Sequence, residues 1–140
     1  SDADYVIPVK IENTVHNVFV LKRPGVDEFI TEMAKYYELV VYTASLNKYA
    51  DPLLDQLDSQ NKIRWRLFRE SCVMHEGHYV KDLSLLDRDL AHTIIIDNSA
   101  LSFMFQPENA IGCTTFIDDP EDYELLDIAE FLKHIHQCEV

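Results

Sequence analysis

Residues 38–45 read Glu38-Leu39-Val40-Val41-Tyr42-Thr43-Ala44-Ser45, and residues 93–99 repeat the arrangement as Thr93-Ile94-Ile95-Ile96-Asp97-Asn98-Ser99. Each is a short apolar run that stops on a polar cluster. A strand covered on both faces has no reason to alternate, so such runs suit a parallel sheet layered by helices. Helical patterns lie around them. Val26, Phe29, Ile30, Met33 and Tyr37 recur at helical spacing after Arg23-Pro24-Gly25, with Asp27 and Glu28 where the helix dipole favours acids. Leu46, Tyr49, Leu53, Leu54 and Leu57 form a second stripe, in which Pro52 predicts a kink or two short helices. Leu125, Leu126, Ile128, Ala129, Leu132 and Ile135 form a third within residues 123–136. Strands alternating with helices define an α/β domain with a mostly parallel sheet. In such sheets ligands sit beyond the carboxyl ends of the strands. Those ends carry a hydroxyl in Thr43 and a carboxylate–amide pair in Asp97-Asn98, groups suited to a phosphate and a divalent cation.

Outside this frame, residues 5–11 and 15–22 read as two strands of a hairpin turned at Glu12-Asn13-Thr14, with Pro8 marking an edge or a bulge. Residues 58–92 read as a small β insertion: a short strand over 63–68, then a hairpin whose arms flank Glu76-Gly77. A last strand is predicted over 110–116. The whole, 1–140, is the length of one domain.

The composition narrows the partners. Twelve Lys and Arg against 25 Asp and Glu leave a net charge of −13, which opposes a nucleic-acid backbone or an anionic membrane face as the partner. No apolar run approaches the ~20 residues of a membrane helix. Cys72, Cys113 and Cys138 are odd in number and form no C-x-x-C pair, as suits a reducing compartment, nuclear or cytoplasmic. Three glycines exclude a Gly-rich phosphate loop. His75 and His78 are placed to meet across their hairpin, and the spacing of the six histidines predicts no metal site. The acidic run Asp118-Asp119-Pro120-Glu121-Asp122 reads as a solvated loop before a helix.

Five stretches in order carry a family resemblance: Val20-Leu21-Lys22-Arg23-Pro24, Tyr42-Thr43-Ala44-Ser45, Leu67-Phe68-Arg69-Glu70-Ser71-Cys72, Tyr79-Val80-Lys81-Asp82-Leu83 and Ile96-Asp97-Asn98-Ser99. The chain resembles the small C-terminal-domain phosphatases of the haloacid dehalogenase superfamily. The resemblance implies a Rossmann-like mostly parallel sheet with helices on both faces. It also implies transfer of a phosphoryl group from phosphoserine or phosphothreonine to an aspartate, with Mg²⁺ as cofactor. The partner it implies is a phosphorylated protein or peptide, with a proline-containing tail such as that of RNA polymerase II as candidate. Thr43 is then expected to donate to a phosphate oxygen, its alternative being a helix N-cap. Lys81 is expected to face the nucleophile and the phosphate, its alternative being a solvated lysine. Asn98 is expected to ligate Mg²⁺, with Asp97 orienting Lys81 or a metal-bound water, the alternative being an Asx turn. Arg69 matches an arginine that holds the phosphorylated substrate, or else pairs with Glu70. Val9, Ile11, Val18, Leu46 and Tyr49 match an apolar pocket for a substrate proline, or are ordinary core.

One family motif is expected elsewhere. The nucleophile motif, D-x-D-x-T or D-x-D-x-V, follows a hydrophobic strand. Asp2-Ala3-Asp4-Tyr5-Val6 fits it by letter, but no such strand precedes it. The expectation is that the natural protein carries the true motif upstream of Ser1 and that this stretch alone is inactive. Ala100 stands where the family usually has proline. Two rivals remain: an inactive phosphopeptide-binding module, and a receiver-like signalling domain with a similar Asp, Thr, Lys and Mg²⁺ set, against which the insertion before Lys81 speaks.

Overall fold

The computed structural model describes residues 3–138. Its backbone divides into two compact units, one of residues 1–40, 47–65 and 116–140, the other of 41–46 and 66–115.

The first unit opens with an antiparallel hairpin of β1 (Tyr5–Ile11) and β2 (Thr14–Val20). Glu12 and Asn13 both take positive φ, 49° and 66°, which is the two-residue turn whose twist matches the strands it joins. Pro8 sits opposite Asn17 in unbroken register. β2 stops at Val20, short of the expected Lys22. Ile7, Val9, Ile11 and their partners Val18, His16 and Thr14 share one face. Ile7 and Val9 are buried there, and β1 packs on α2 (Asn47–Leu57), whose Leu54 is also buried. Pro52 lies inside α2, and the helix runs through it as a single element rather than splitting.

α1 (Val26–Met33) packs on α3 (Glu124–Gln137), burying Met33 against the layer that holds Ile128 and Leu132. Tyr37, assigned by spacing to α1, lies beyond its end, and its hydroxyl donates to Leu132 O at 2.6 Å. Arg23, just before α1, clasps the residues leading into α3. Its Nε and Nη2 donate to both oxygens of Asp122 at 2.9 Å, and Nη2 also reaches Glu124 at 2.9 Å. The acidic run is therefore not wholly a solvated loop: Asp122 is an anchor, held below the usual carboxylate range by Arg23. Gly25 enters α1 at φ 83°, and a Cβ there would stand 2.9 Å from Leu126 Cγ. Gly25→Ala is therefore expected to cost about 1–3 kcal/mol from left-handed strain and the clash together. Thermal unfolding measures this, and an unshifted midpoint would contradict it.

The second unit holds three further strand pairs. β3 (Val40–Tyr42) pairs with β4 (Trp65–Leu67). β5 (Val73–His75) and β6 (His78–Val80) form a second antiparallel hairpin, again with two positive-φ residues, Glu76 and Gly77. β7 (Ile95–Asp97) and β8 (Ala110–Gly112) pair in parallel. The expectation of one mostly parallel sheet is thus met only in part. Among the described residues the strands form four separate pairs, of which β7–β8 is parallel. Among the described residues no strand hydrogen-bonds β3–β4 to β7–β8. Short 3₁₀ turns at 69–71, 83–86, 90–92 and 107–109 fill the connections.

Candidate active site

The chemistry expected of Thr43, Arg69, Lys81, Asp97 and Asn98 falls entirely in the second unit. Lys81 follows β6. Val80 before it is fully buried, and the Lys81 amide donates to Ser102 O at 2.8 Å. Its side chain is buried too, and Nζ meets Asp97 Oδ2 at 2.5 Å, with 11% and 9% of the two side chains exposed. This is not the solvated lysine of the alternative reading. Asp97 ends β7, and its other oxygen accepts from Ser99 N at 2.9 Å. That second contact is the Asx turn of the bland reading, so the turn and the ion pair coexist in one carboxylate.

The segment after Lys81 is fastened from below. Asp82 accepts from the Ser84 hydroxyl at 2.7 Å and from Gln106 Nε2 at 2.8 Å, while Gln106 Oε1 accepts from Leu83 N at 2.9 Å. Gln106 is buried, and the Ser84 hydroxyl holds the Asp82 carboxyl below its ordinary range.

Thr43 follows β3. Its amide donates to Leu67 O at 2.9 Å, and Oγ1 accepts from Ser45 N at 3.0 Å. That is the local turn expected of a hydroxyl ahead of a helix. An oxygen that accepts still carries its own hydrogen, so the turn orients the hydroxyl and leaves it a donor. Arg69 Nε donates to Ala44 O at 2.8 Å, its amide donates to Ser45 O at 3.1 Å, and its guanidinium lies 5.1 Å from the Tyr79 ring centre. Among the described residues it forms no ion pair with Glu70. Its terminal nitrogens carry the planar fork suited to a phosphate.

Cys72 and Tyr42 tie these parts together, and neither was singled out by sequence. Tyr42 donates its hydroxyl to Ser71 O, and burial pushes that phenol up to about 12. The Cys72 thiol approaches Thr43 O at 3.8 Å and Phe68 O at 3.9 Å. Burial raises its pKa, and the charges of Lys81 and Arg69 oppose the rise.

Asn98 donates through Nδ2 to Thr115 Oγ1 at 2.9 Å, which turns its carbonyl oxygen away from Thr115. A neutral oxygen of this kind is a hard ligand suited to Mg²⁺. Asp97 has Lys81 Nζ on one oxygen and Ser99 N on the other. Among the described residues no three His, Cys, Asp or Glu side chains gather as a metal site. The donor chemistry fits Mg²⁺, and Asn98 would supply one ligand of a set completed elsewhere.

The remaining expectations fall in the first unit, apart from Leu46. Val9 is buried, Ile11 is 41% and Val18 43% exposed, and Tyr49 is half-buried on α2. Leu46, half-buried, belongs to the second unit. Asp2 lies outside the described residues. Asp4 closes the open end of the β1–β2 hairpin, its amide donating to Val20 O at 2.8 Å and its carboxylate accepting from Lys22 N at 2.7 Å. That is a structural role. His75 and His78 are cross-strand neighbours, and among the described residues they join no metal-binding group. A cleft of about 680 Å³ in the first unit, between Thr31, Ala34, Leu39 and Ile63, contains none of the expected residues.

The fold and site define an α/β domain that presents a hydroxyl, an arginine, a buried lysine–aspartate pair and an asparagine at its strand ends. The family model of NLI interacting factor-like phosphatases matches residues 1–140, and the chain belongs to that family. CTD small phosphatase-like protein 1 of Caenorhabditis elegans is 56% identical over 133 residues, covering 95% of this chain and 27% of that protein. The human CTD small phosphatase-like protein is 54% identical over 133 residues, covering 95% and 48%. The fission yeast RNA polymerase II CTD phosphatase Fcp1 bound to beryllium fluoride is similar in fold, with a TM-score of 0.63, 18% identity, and coverage of 95% of this chain and 42% of that one. The chain thus spans about half the length, or less, of the relatives it matches. No helix among the described residues is long and apolar enough to cross a membrane.

Proposed function

We propose that this chain is the phosphate-handling part of a Mg²⁺-dependent protein serine/threonine phosphatase. The observation that carries the reading is the buried Lys81–Asp97 pair at 2.5 Å, with Asn98 directly after it. A lysine held by one carboxylate in a dry setting is a preorganised positive charge, worth far more to a developing phosphoryl charge than a lysine in water. Thr43 donates to a phosphate oxygen through the hydrogen its turn leaves free. Arg69 takes the phosphate or its flanking peptide with its terminal nitrogens. Asn98 offers its carbonyl oxygen to Mg²⁺, which when bound neutralises phosphate charge.

The family resemblance implies an aspartate nucleophile, which Thr43, Lys81 and Asn98 would face across the phosphate. Its carboxylate oxygen forms the new P–O bond as the bond to the serine oxygen breaks and a second aspartate protonates the departing alkoxide. Water then releases inorganic phosphate and restores the carboxylate. The substrate class is phosphoserine in a flexible, proline-containing tail, of which that of RNA polymerase II is a candidate.

A second reading is a phosphopeptide-binding module without turnover, in which Thr43, Arg69 and Lys81 hold the phosphate. One experiment separates them. The full-length protein is assayed for phosphate release from a phosphoserine–proline peptide, with and without EDTA, alongside calorimetric binding of the same peptide. Release abolished by EDTA supports the phosphatase; release that survives EDTA overturns the mechanism; binding without release selects the module.

A further inference from the structure

We propose that Gln106 is a positioning residue for Lys81, acting through Asp82 and Leu83. The inference rests on the phosphatase reading and deepens it by naming what holds the main chain of the lysine in place. β6 ends at Val80, so Lys81 has no strand partner of its own. Its ammonium is tied to Asp97, but a flexible four-carbon stem separates that end from the backbone. The backbone end is held by the loop that leaves Asp97. Ser102 O of that loop accepts from Lys81 N at 2.8 Å, and Gln106 at its far end grips the next two residues. Asp97, its loop and Lys81 thus close a ring of contacts in which Gln106 is the clasp.

The Gln106 amide has one workable orientation. Leu83 N can only donate and an ionised Asp82 carboxylate can only accept, so Oε1 faces the first at 2.9 Å and Nε2 the second at 2.8 Å. Gln106 and Leu83 are 8% and 3% exposed, which leaves water little room to stand in for either bond. The clasp is itself anchored, since Gln106 N donates to Phe103 O at 3.1 Å and its carbonyl accepts from Asn109 N at 3.0 Å. Without it, Leu83 N loses its acceptor and the chain just past Lys81 is freed. A shift of about 1 Å in a catalytic group can cost about 100-fold in rate.

The test uses the full-length protein with Gln106→Leu, which removes both bonds, and Gln106→Glu, which keeps them only while it holds a proton. Burial and the facing Asp82 carboxylate raise the pKa of a glutamate placed there. Protonated, it accepts from Leu83 N and donates to Asp82. As pH rises and both carboxyls ionise, they repel and the clasp opens. Besides Gln106 and the Ser84 hydroxyl, Asp82 faces Tyr42 of β3, whose phenol at about 12 stays neutral throughout. From about pH 5 to about pH 8, kcat of Gln106→Glu on a phosphoserine peptide is expected to start near the parent's and fall about 10–100-fold, with KM little changed. Gln106→Leu is expected to be low at both ends. In metal-free protein, NMR is expected to show faster solvent exchange of the Lys81 ammonium in Gln106→Leu than in the parent. If Gln106→Leu unfolds, the same exchange is read in Gln106→Glu at the two ends of the pH range, where urea denaturation shows it folded. A pH-independent ratio of Gln106→Glu to parent, a change confined to KM, or Lys81 exchange equal to the parent's overturns the role of Gln106. A parent that releases no phosphate overturns the phosphatase reading instead, and the exchange measurement still decides the clasp.

Discussion

Lys81→Met in the full-length protein is expected to lower turnover of a phosphoserine peptide by about 10²–10³-fold, the usual cost of losing one preorganised charge from a transition state. It is also expected to cost about 3 kcal/mol of stability, because Asp97, with its side chain only 9% exposed, would keep its charge and lose its partner. The two effects come apart in the double variant Lys81→Met, Asp97→Leu. With both charges replaced by apolar groups the desolvation penalty disappears, and most of the lost stability should return. Turnover should not return, since the charge facing the phosphate is still missing. Urea denaturation and phosphate release, measured on the same three proteins, decide the matter. A double variant that recovers activity with stability would mean that Lys81 serves the fold alone.

Asp58→Ala is expected to be the costliest change in the first unit, about 2–4 kcal/mol, or roughly 10 °C in melting temperature. Asp58 is 4% exposed at the end of α2, where the chain reverses through Asn61 at φ 53°. Its two oxygens accept from the amides of Lys62 and Ile63 at 2.8 and 2.9 Å. Alanine would leave both part-buried amide donors without their carboxylate, each costing about 1–3 kcal/mol. Asp58→Asn keeps one acceptor and should lose about half as much. Hydrogen exchange at residues 62 and 63 should accelerate in the alanine variant. A loss below about 0.5 kcal/mol would mean that water replaces the carboxylate without penalty.

The residues that were legible in sequence are those whose signal is local. Periodicity placed α1, α2 and α3 within a few residues, alternation with β-branched content placed the first hairpin, and the Glu76-Gly77 turn placed the second. The polar ends of β3 and β7 identified the strand termini that carry Thr43 and Asp97, while the family resemblance supplied Lys81, which spacing alone could not distinguish from other lysines. What stayed hidden depends on distant partners. Thr115, Gln106 and Asp58 act through hydrogen bonds, and nothing around them in sequence shows where those bonds go. Pro52 signals a kink or a split because local rules weigh its missing N–H, and the split does not occur: α2 runs through it as one element that packs on β1. Asp122 was lost in an acidic run because its partner, Arg23, lies 99 residues away. The sheet was overestimated because apolar runs reveal which strands are covered but not which hydrogen-bond to one another.

The bonds linking residues 42–45 to 67–72 have a consequence for how such an enzyme diverges. Thr43, Arg69, Tyr42 and Cys72 are laced to each other's backbones, so the hydroxyl proposed to hold phosphate and the guanidinium proposed to take the peptide ride on one hydrogen-bonded plate. Retuning that plate for a new target would disturb the chemistry along with the recognition. Relatives that share it can acquire different clients only by altering surfaces beyond its border.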